Sequence, residues 1–297
     1  MVFRKLLVAL LVLATPAAIH GEDLFRVVGR IITDGLRVRE GPVLNAEVVD
    51  SLYYDTRVEI LDLTTDRMQI GEMDARWYHV RTVGPWETID GWCYGYFVEV
   101  KAINLLTRAI SLNRDQLVMD MVEEGVDINT WAIDDGVEFT DAYEYRVTPL
   151  IQAIRMGRRE LVRFFLAKGA DPNIQSSYGD PGGGGSSSAL IAAVERGAAD
   201  MIPMLVAAGA DLEAETRMMG GGGEGNKKTP LIVAVTLEEY SMAETLIGSG
   251  ADVNHAVEYI SAMYGDSWKS PLDIAETLGN DQMVRLLRSH GAENTVR

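Results

Sequence analysis

Two short sequence patterns recur five times along the last two thirds of the chain at a fixed separation. The strings EGVDIN, KGADPN, AGADLE, SGADVN and HGAENT place glycines at positions 125, 169, 209, 250 and 291. Each glycine lies 21 positions after the first residue of NLLTRAI (104–110), TPLIQAI (148–154), SALIAAV (188–194), TPLIVAV (229–235) or SPLDIAE (270–276). The intervals between the glycines are 44, 40, 41 and 41 residues, so the variable length lies between the blocks. This pattern predicts stacked units that bury their apolar faces against one another.

Each 21-residue block predicts two short helices. In the second block Leu150, Ala153 and Ile154 form one apolar face at helical spacing, and Leu161 and Phe165 belong to a second face after a turn. The glycine that ends the block fits a helix terminus, where a left-handed residue is common. A threonine or serine at the block's start fits an N-cap. We therefore expect helix pairs to begin near residues 104, 148, 188, 229 and 270.

These motifs closely resemble the ankyrin repeat, whose pattern is T-P-L-H-x-A followed by G-A-D-x-N. The resemblance covers 102–297 and implies an α-solenoid of five ankyrin repeats that binds a protein partner through its concave face and fingers. The histidine of the family pattern is replaced by Ile151, Ile191, Ile232 and Asp273. The period exceeds the usual 33 residues by 7 to 11. Because the helical block keeps its length, the excess is expected in elongated β-turn fingers.

Two glycine runs fall in these expected fingers. PGGGGSSS (181–188) ends where the next helical block begins, so we interpret it as a finger tip within a continuous stack and not as a domain linker. GGGGEG (220–225) occupies the equivalent position one repeat later. A phosphate-binding loop is not indicated there, because Asn226 separates the last glycine from Lys227 and no apolar strand precedes it.

Residues 25–100 form a different module. Short alternating runs broken by turn residues predict a small antiparallel β-barrel. The segments LRVREGP, WYHVRT and GWCYGYF resemble the bacterial SH3-like domain, a resemblance of about 75 residues. It implies cell-wall material or a peptide as ligand, without specifying which. The boundary between the two modules is expected near Val100 to Asn104.

Aromatic residues of this module are the candidates for a ligand groove. We single out Tyr53, Tyr54, Trp86 and Tyr94. Trp77 and Trp92 are further candidates for the groove, with the alternative that both simply belong to the barrel core. The single cysteine, Cys93, is expected to be a buried, small apolar residue and not a reactive thiol.

The fingers carry a second group of aromatic residues, which lie near several carboxylates. Tyrosine and tryptophan are frequent anchors in protein interfaces, so acidic aromatic fingers fit a basic or mixed partner. The alternative is that these rings pack on one another to support long fingers. The candidate partner-binding residues are Trp131, Phe139, Tyr143, Tyr145, Tyr178, Tyr259, Tyr264 and Trp268.

The N-terminus has the layout of a secretory signal peptide over residues 1–21. Arg4 and Lys5 precede an apolar run from Leu6 to Ala14, and small residues follow. This predicts export to the periplasm or the exterior. No later stretch approaches the 18 apolar residues of a membrane span, so we expect no integral membrane segment after cleavage.

No catalytic, metal-binding or cofactor-binding motif emerges. The four histidines lack metal-ligand spacing, and no nucleophile motif accompanies the lone cysteine. A net charge of −17 disfavours nucleic acid as a partner. The sequence thus favours a non-catalytic, exported interaction protein of the bacterial envelope. Two alternatives stay open: an inhibitor or immunity-type protein that covers a basic partner, and a structural factor that protects the envelope.

Overall fold

The computed structural model describes residues 27–83, 88–133, 145–180, 183–219, 225–259 and 267–294. The chain divides into two compact units, one over residues 21–140 and one that contains residues 141–297. The expected signal peptide lies outside the described residues. The division also falls elsewhere than the expected boundary near Val100 to Asn104, because the first helix pair belongs to the same unit as the β-rich module.

The first unit begins with an all-β domain, here called the β domain. Its seven-stranded antiparallel sheet has the order β3-β2-β8-β7-β4-β1-β9. Inward residues alternate with outward ones, as at buried Val58 and Ile60 of β4; a register shift between Ile60 and Asp62 then makes Leu63 the next buried residue. The strands are β1 (Val28–Ile31), β2 (Leu36–Arg39), β3 (Val48–Leu52), β4 (Arg57–Leu63), β7 (Trp77–Thr82), β8 (Asp90–Tyr94) and β9 (Val98–Glu99), with a separate hairpin of β5 (Met68–Ile70) and β6 (Met73–Ala75).

Two arginines connect the first helix pair to the β domain. This pair consists of α1 (Ala102–Ser111) and α2 (Asp115–Glu123). The Arg108 guanidinium donates to the Leu61 carbonyl, with nitrogen–oxygen distances of 3.0 and 3.2 Å. Arg114 forms a 2.6 Å ion pair with Asp62. Such contacts to strand β4 explain why the compact unit extends past residue 104.

Helix α1 also begins two residues before the expected start. Asn104 occupies the position that holds threonine or serine in the other blocks, yet it lies inside the helix and is fully buried. Its amide donates to the Ile133 carbonyl at 3.0 Å and accepts from the Ile133 N–H at 3.1 Å. The side chain therefore holds the short strand β10 (Ala132–Ile133) and does not cap the helix.

The second unit contains four further helix pairs. Each first helix begins one residue after the expected start, because that residue is the N-cap: the hydroxyls of Thr148, Ser188, Thr229 and Ser270 each accept the N–H of the third following residue. The pairs are α3 (Pro149–Arg155) with α4 (Arg159–Ala167), α5 (Ala189–Arg196) with α6 (Ile202–Ala207), α7 (Pro230–Thr236) with α8 (Tyr240–Gly248), and α9 (Pro271–Leu278) with α10 (Asp281–Ser289).

Strands follow the second helix of the first four pairs, where the sequence predicts fingers. Within this unit five strands pair in antiparallel succession and form what we call the finger sheet: β11 (Arg146–Val147), β12 (Ser176–Asp180), β13 (Gly183–Ser187), β14 (Thr216–Met219) and β15 (Gly225–Lys228). A separate hairpin consists of β16 (Val257–Tyr259) and β17 (Ser267–Lys269). Three glycines of the first run, at positions 183, 184 and 185, thus belong to strand β13, and residues 181 and 182 lie outside the described residues.

A side-chain ladder links successive blocks at the recurring G-A-D-x-N string. Asn173 donates to the Gly209 carbonyl at 2.9 Å and accepts from the Asp211 N–H at 2.8 Å. Asn254 makes the same two bonds with the corresponding residues of the following block. Glu213 stands at the same position between them and accepts only the single matching N–H, at 2.8 Å. A carboxylate cannot donate, so the ladder has one bond fewer at that step.

Candidate binding surfaces

Two of the predicted groove residues lie on an open turn between β3 and β4. Tyr53 and Tyr54 are 63% and 65% exposed. The Tyr54 N–H donates to the Asp34 carboxylate at 2.9 Å, which fixes the turn. Exposed Ile32 lies on the neighbouring loop, where its N–H donates to the Phe97 carbonyl at 3.0 Å. The turn therefore presents two tyrosine side chains to solvent.

Tyr94 does not belong to that surface. It is 4% exposed, and its hydroxyl lies 2.5 Å from the Met68 carbonyl and 3.0 Å from the Met73 carbonyl. Its ring meets Trp77 edge-on, with ring centroids 5.7 Å apart. The tyrosine therefore ties the β5–β6 hairpin to the core, and the expectation of an accessible groove position is wrong for it. Trp86 lies outside the described residues.

Cys93 is fully buried on β8. Burial raises the pKa of its thiol to about 12, because the thiolate would lose its hydration. A thiol with this pKa stays protonated at neutral pH and is a poor nucleophile. The prediction that Cys93 is buried is confirmed, and its unreactivity stays a prediction.

A shallow pocket of about 400 Å³ opens beside Trp92. Trp77 and Pro42 provide further apolar lining, and Thr64 and Arg114 contribute polar groups. The Trp92 ring stacks on His79 at a centroid distance of 5.1 Å, and His79 in turn bonds to Asp90 at 2.7 Å. Of the four groove residues singled out from the sequence, Tyr53, Tyr54 and Tyr94 do not line this Trp92 pocket, and Trp86 lies outside the described residues. The sequence identifies Trp92 as an aromatic candidate. It does not reveal that His79 stacks on the Trp92 ring or that Trp92 lines a pocket.

In the second unit Arg155, the last residue of α3, connects the helices to the finger sheet. Its guanidinium donates to the Tyr145 hydroxyl and, at 3.3 Å, to Ser176. It also lies 5.6 Å from the centre of the Tyr145 ring. Of the predicted partner-binding aromatics, Tyr145 is thus held at the junction of helix and sheet by an arginine, with its ring half-buried.

Opposite charges interact electrostatically next to this junction. Glu195 is the penultimate residue of α5, and Lys228 ends β15. Burial raises the pKa of Glu195, and the charges of Arg155 and Lys228 oppose that rise. Burial likewise lowers the pKa of Lys228, and Glu195 opposes that fall. The Glu195 side chain is nevertheless exposed, so a partner can reach this site although many protein atoms surround it. We call Tyr145, Arg155, Glu195 and Lys228 the inner cluster.

A second charged network borders the finger sheet. His255 lies between two carboxylates, with Nδ1 3.6 Å from Glu213 and Nε2 3.4 Å from Glu215. Lys227 pairs with the other oxygen of Glu215 at 2.8 Å, and this hydrogen bond lowers the pKa of Glu215. Burial raises the pKa of Glu213, which has one oxygen without a hydrogen-bond partner.

The remaining predicted aromatics are dispersed. Trp131, in the first unit, is 42% exposed, and Trp268 on β17 is 59% exposed. Tyr178 lies in β12 and Tyr259 in β16. Phe139, Tyr143 and Tyr264 lie outside the described residues, as does the acidic stretch 134–144.

The described residues lack two further classes of site. In those ranges no group of three or more histidine, cysteine, aspartate or glutamate side chains is arranged to hold a metal ion. The same residues include no helix with the length and apolar character needed to cross a membrane.

The family comparisons match the two kinds of structure. The family model for the bacterial SH3 domain matches residues 34–99, which cover most of the β domain. The family model for the ankyrin repeat matches residues 145–177 and 226–257, which contain α3 with α4 and α7 with α8. No curated protein matches the chain. The chain therefore contains a bacterial SH3 domain followed by ankyrin repeats.

Proposed function

We propose that this is a non-catalytic, exported interaction protein of the bacterial envelope. In this proposal all five helix pairs are ankyrin repeats with elongated fingers, and they bind a protein partner. The SH3 domain binds cell-wall material or a peptide. The observation that carries the proposal is the inner cluster, which combines a tyrosine, an arginine and an opposed pair of charges at an accessible junction of helices and sheet.

The chemistry of the inner cluster suits recognition. Tyrosine and arginine are the residue types that most often dominate the binding energy of a protein interface. Arg155 and Glu195 offer groups of both signs to a partner, and Tyr145 offers a ring already oriented by Arg155. Such preorganised side chains lose little conformational entropy when a partner binds.

Three observations support five repeats. The spacing between block start and glycine is 21 residues in every block, including the three that lie wholly outside the family matches. A hydroxyl N-cap begins the first helix of four pairs. The ladder built by Asn173, Glu213 and Asn254 links consecutive blocks. The first pair departs from the pattern, as terminal repeats commonly do.

The Trp92 pocket is the concave feature of the SH3 domain that supports a ligand role. Its lining combines two tryptophans and two threonines with carboxylate and guanidinium groups, a mixture suited to a sugar or a short peptide. Sedimentation of the full chain with purified peptidoglycan tests this role. We expect Trp92→Ala to reduce the bound fraction and Tyr54→Ala to leave it unchanged. The opposite order would place the ligand on the exposed turn instead.

Site-specific photo-cross-linking tests the binding role of the repeats. A photoreactive amino acid replaces Glu195 in the full chain produced in its native envelope, and a matched variant carries it at exposed Arg163 on α4. We expect one discrete cross-linked protein from position 195 and none from position 163. Equal products from both positions would contradict binding at the inner cluster. Sequencing the N-terminus of the mature protein tests export, since cleavage near residue 21 is expected.

A further inference from the structure

The finger sheet carries a row of basic and hydroxyl side chains on one face. The strand register places Arg146 opposite Ser177, and Ser177 opposite Ser186. The pairing of β13 with β14 brings Ser186 opposite Arg217, whose N–H donates to the Ser186 hydroxyl at 3.3 Å. Arg217 is opposite Lys227. Directly opposed residues of antiparallel strands point to the same face, so these five residues form one continuous line, here called the cationic row.

The cationic row faces away from the helices. Side chains one position along each strand point to the opposite face. In that adjacent line Val147, Ser176, Ser187 and Thr216 are all buried. Arg217, in contrast, is exposed, and the other four members of the cationic row are partly exposed. The row is therefore a surface distinct from the inner cluster, whose Lys228 belongs to the inward-facing line.

The cationic row carries a net positive charge, and the strands beside it contain glycines without side chains. The row contains three cations, and Lys227 pairs with the carboxylate of Glu215 at its edge. Two positions nearer the hairpin turn, Gly179 is opposite Gly184. Neither glycine has a side chain to rise above that face, so the backbone beside the row allows close approach. This positive strip is a local reversal in a chain of net charge −17.

We propose that the cationic row binds an extended acidic segment of a partner protein, laid across the strands. Neighbouring strands lie about 4.8 Å apart, so Arg146 and Arg217 are separated by about 14 Å, and Arg146 and Lys227 by about 19 Å. In an extended peptide, which rises about 3.3 Å per residue, positions i and i+4 are about 13 Å apart and positions i and i+6 about 20 Å apart. All three positions share one face of the peptide. Carboxylates at i, i+4 and i+6 therefore match the three cations.

Ser177 and Ser186 make a peptide a better match than a simple polyanion. They lie between Arg146 and Arg217 and present hydroxyls that both donate and accept, as the amide groups of a peptide require. A long phosphate polymer would extend past the row into the field of an acidic protein, whereas a short segment with three carboxylates would not. This inference rests on the proposed protein-binding function of the repeats and adds the chemistry of the partner and a second contact surface.

Fluorescence anisotropy with the full-length protein tests the inference. The probe is a labelled ten-residue peptide with glutamate at positions i, i+4 and i+6 in an otherwise threonine and glutamine sequence, at about 50 mM salt where screening is weak. We expect R217Q/K227Q to weaken binding at least tenfold. The matched control R163Q/K168Q removes two exposed charges from α4 and the residue after it, and should change the affinity less than twofold. Arg217→Gln alone serves as a second variant, because it leaves the Lys227–Glu215 pair intact.

Two further probes separate the outcomes. A peptide with glutamates at i, i+3 and i+5 directs them to both faces and should bind at least fivefold more weakly. Equal loss of affinity in the control pair, or equal binding of both peptides, would overturn the proposal. Tighter binding of linear polyphosphate than of the peptide would overturn it in favour of a phosphate polymer. Replacing Glu195 with glutamine should leave peptide binding unchanged, so failure of the row and failure of the inner cluster are distinguishable.

Discussion

Arg76 and Glu124 form a bidentate ion pair within the first unit. The two guanidinium nitrogens lie 3.0 and 2.7 Å from the two carboxylate oxygens, and the Arg76 side chain is only 7% exposed. Arg76 immediately precedes strand β7 of the SH3 domain, and Glu124 caps the end of α2. The pair therefore connects the SH3 domain to the first helix pair, so both parts should unfold together.

Glu124→Gln should destabilise the first unit by about 2 kcal/mol. The variant leaves a nearly buried guanidinium without its charged partner, and an unsatisfied or weakly satisfied buried donor costs about 1–3 kcal/mol. Urea unfolding, followed by tryptophan fluorescence, measures the change. Glu160→Gln is the matched control, because Glu160 also pairs with an arginine but is 67% exposed and should contribute less than about 0.5 kcal/mol. Equal effects of the two substitutions would refute a structural role for the pair.

The same carboxylate should make stability fall in acid. The hydrogen bond from Arg76 lowers the pKa of Glu124 below its ordinary value of 4.5. A carboxyl whose folded pKa is depressed stabilises the fold above the unfolded pKa, and that contribution is lost as pH falls through the folded pKa. We expect the urea midpoint to drop below pH 4.5, with a smaller drop in Glu124→Gln. An identical acid dependence in both proteins would contradict this assignment.

The repeated blocks and the β-rich module follow directly from the sequence, and the connection between them does not. Apolar spacing and N-cap residues predict the helices because both act within a few residues of the chain. Arg76 and Glu124 are 48 residues apart, and neither belongs to a motif. The ion pair therefore has no local signal, and its effect on the extent of the first unit becomes visible only in three dimensions.

The candidate binding surfaces could likewise be predicted only in part from the sequence. Aromatic residues are easy to find in the sequence, but their exposure depends on strand register and packing. Tyr54 and Tyr94 look equivalent as groove candidates, yet one lies on an open turn and the other bonds to the β5–β6 hairpin. The cationic row is also invisible in the sequence, since its three cations lie on three separate strands and are aligned only by strand register.

Cys93 should resist thiol reagents in the folded protein. With a pKa raised to about 12, its thiolate fraction at pH 8 is on the order of one in ten thousand, and the side chain is fully buried. We expect no reaction with a disulfide-exchange reagent over an hour at pH 8, and complete reaction of one thiol in 8 M urea. Rapid labelling under native conditions would show that β8 opens locally far more often than its packing indicates.

Glu213→Asn should stabilise the second unit by about 1 kcal/mol. Asparagine can accept the Asp252 N–H as Glu213 does, and it can also donate to the Gly250 carbonyl, which corresponds to the carbonyl that Asn173 reaches. The substitution also removes a carboxylate whose pKa is raised by burial, and which therefore disfavours the folded state at neutral pH.

Thermal unfolding at two pH values checks this prediction. A carboxyl with a raised folded pKa becomes less unfavourable as pH falls through that pKa, so the advantage of asparagine should be larger at pH 7 than at pH 4.5. Asn173→Glu is the reciprocal control: it removes the 2.9 Å bond to Gly209 and should destabilise the unit by a similar amount. If Glu213→Asn lowers the melting temperature instead, the contacts of Glu213 with His255 outweigh the missing ladder bond, and the charged network is the stronger of the two interactions.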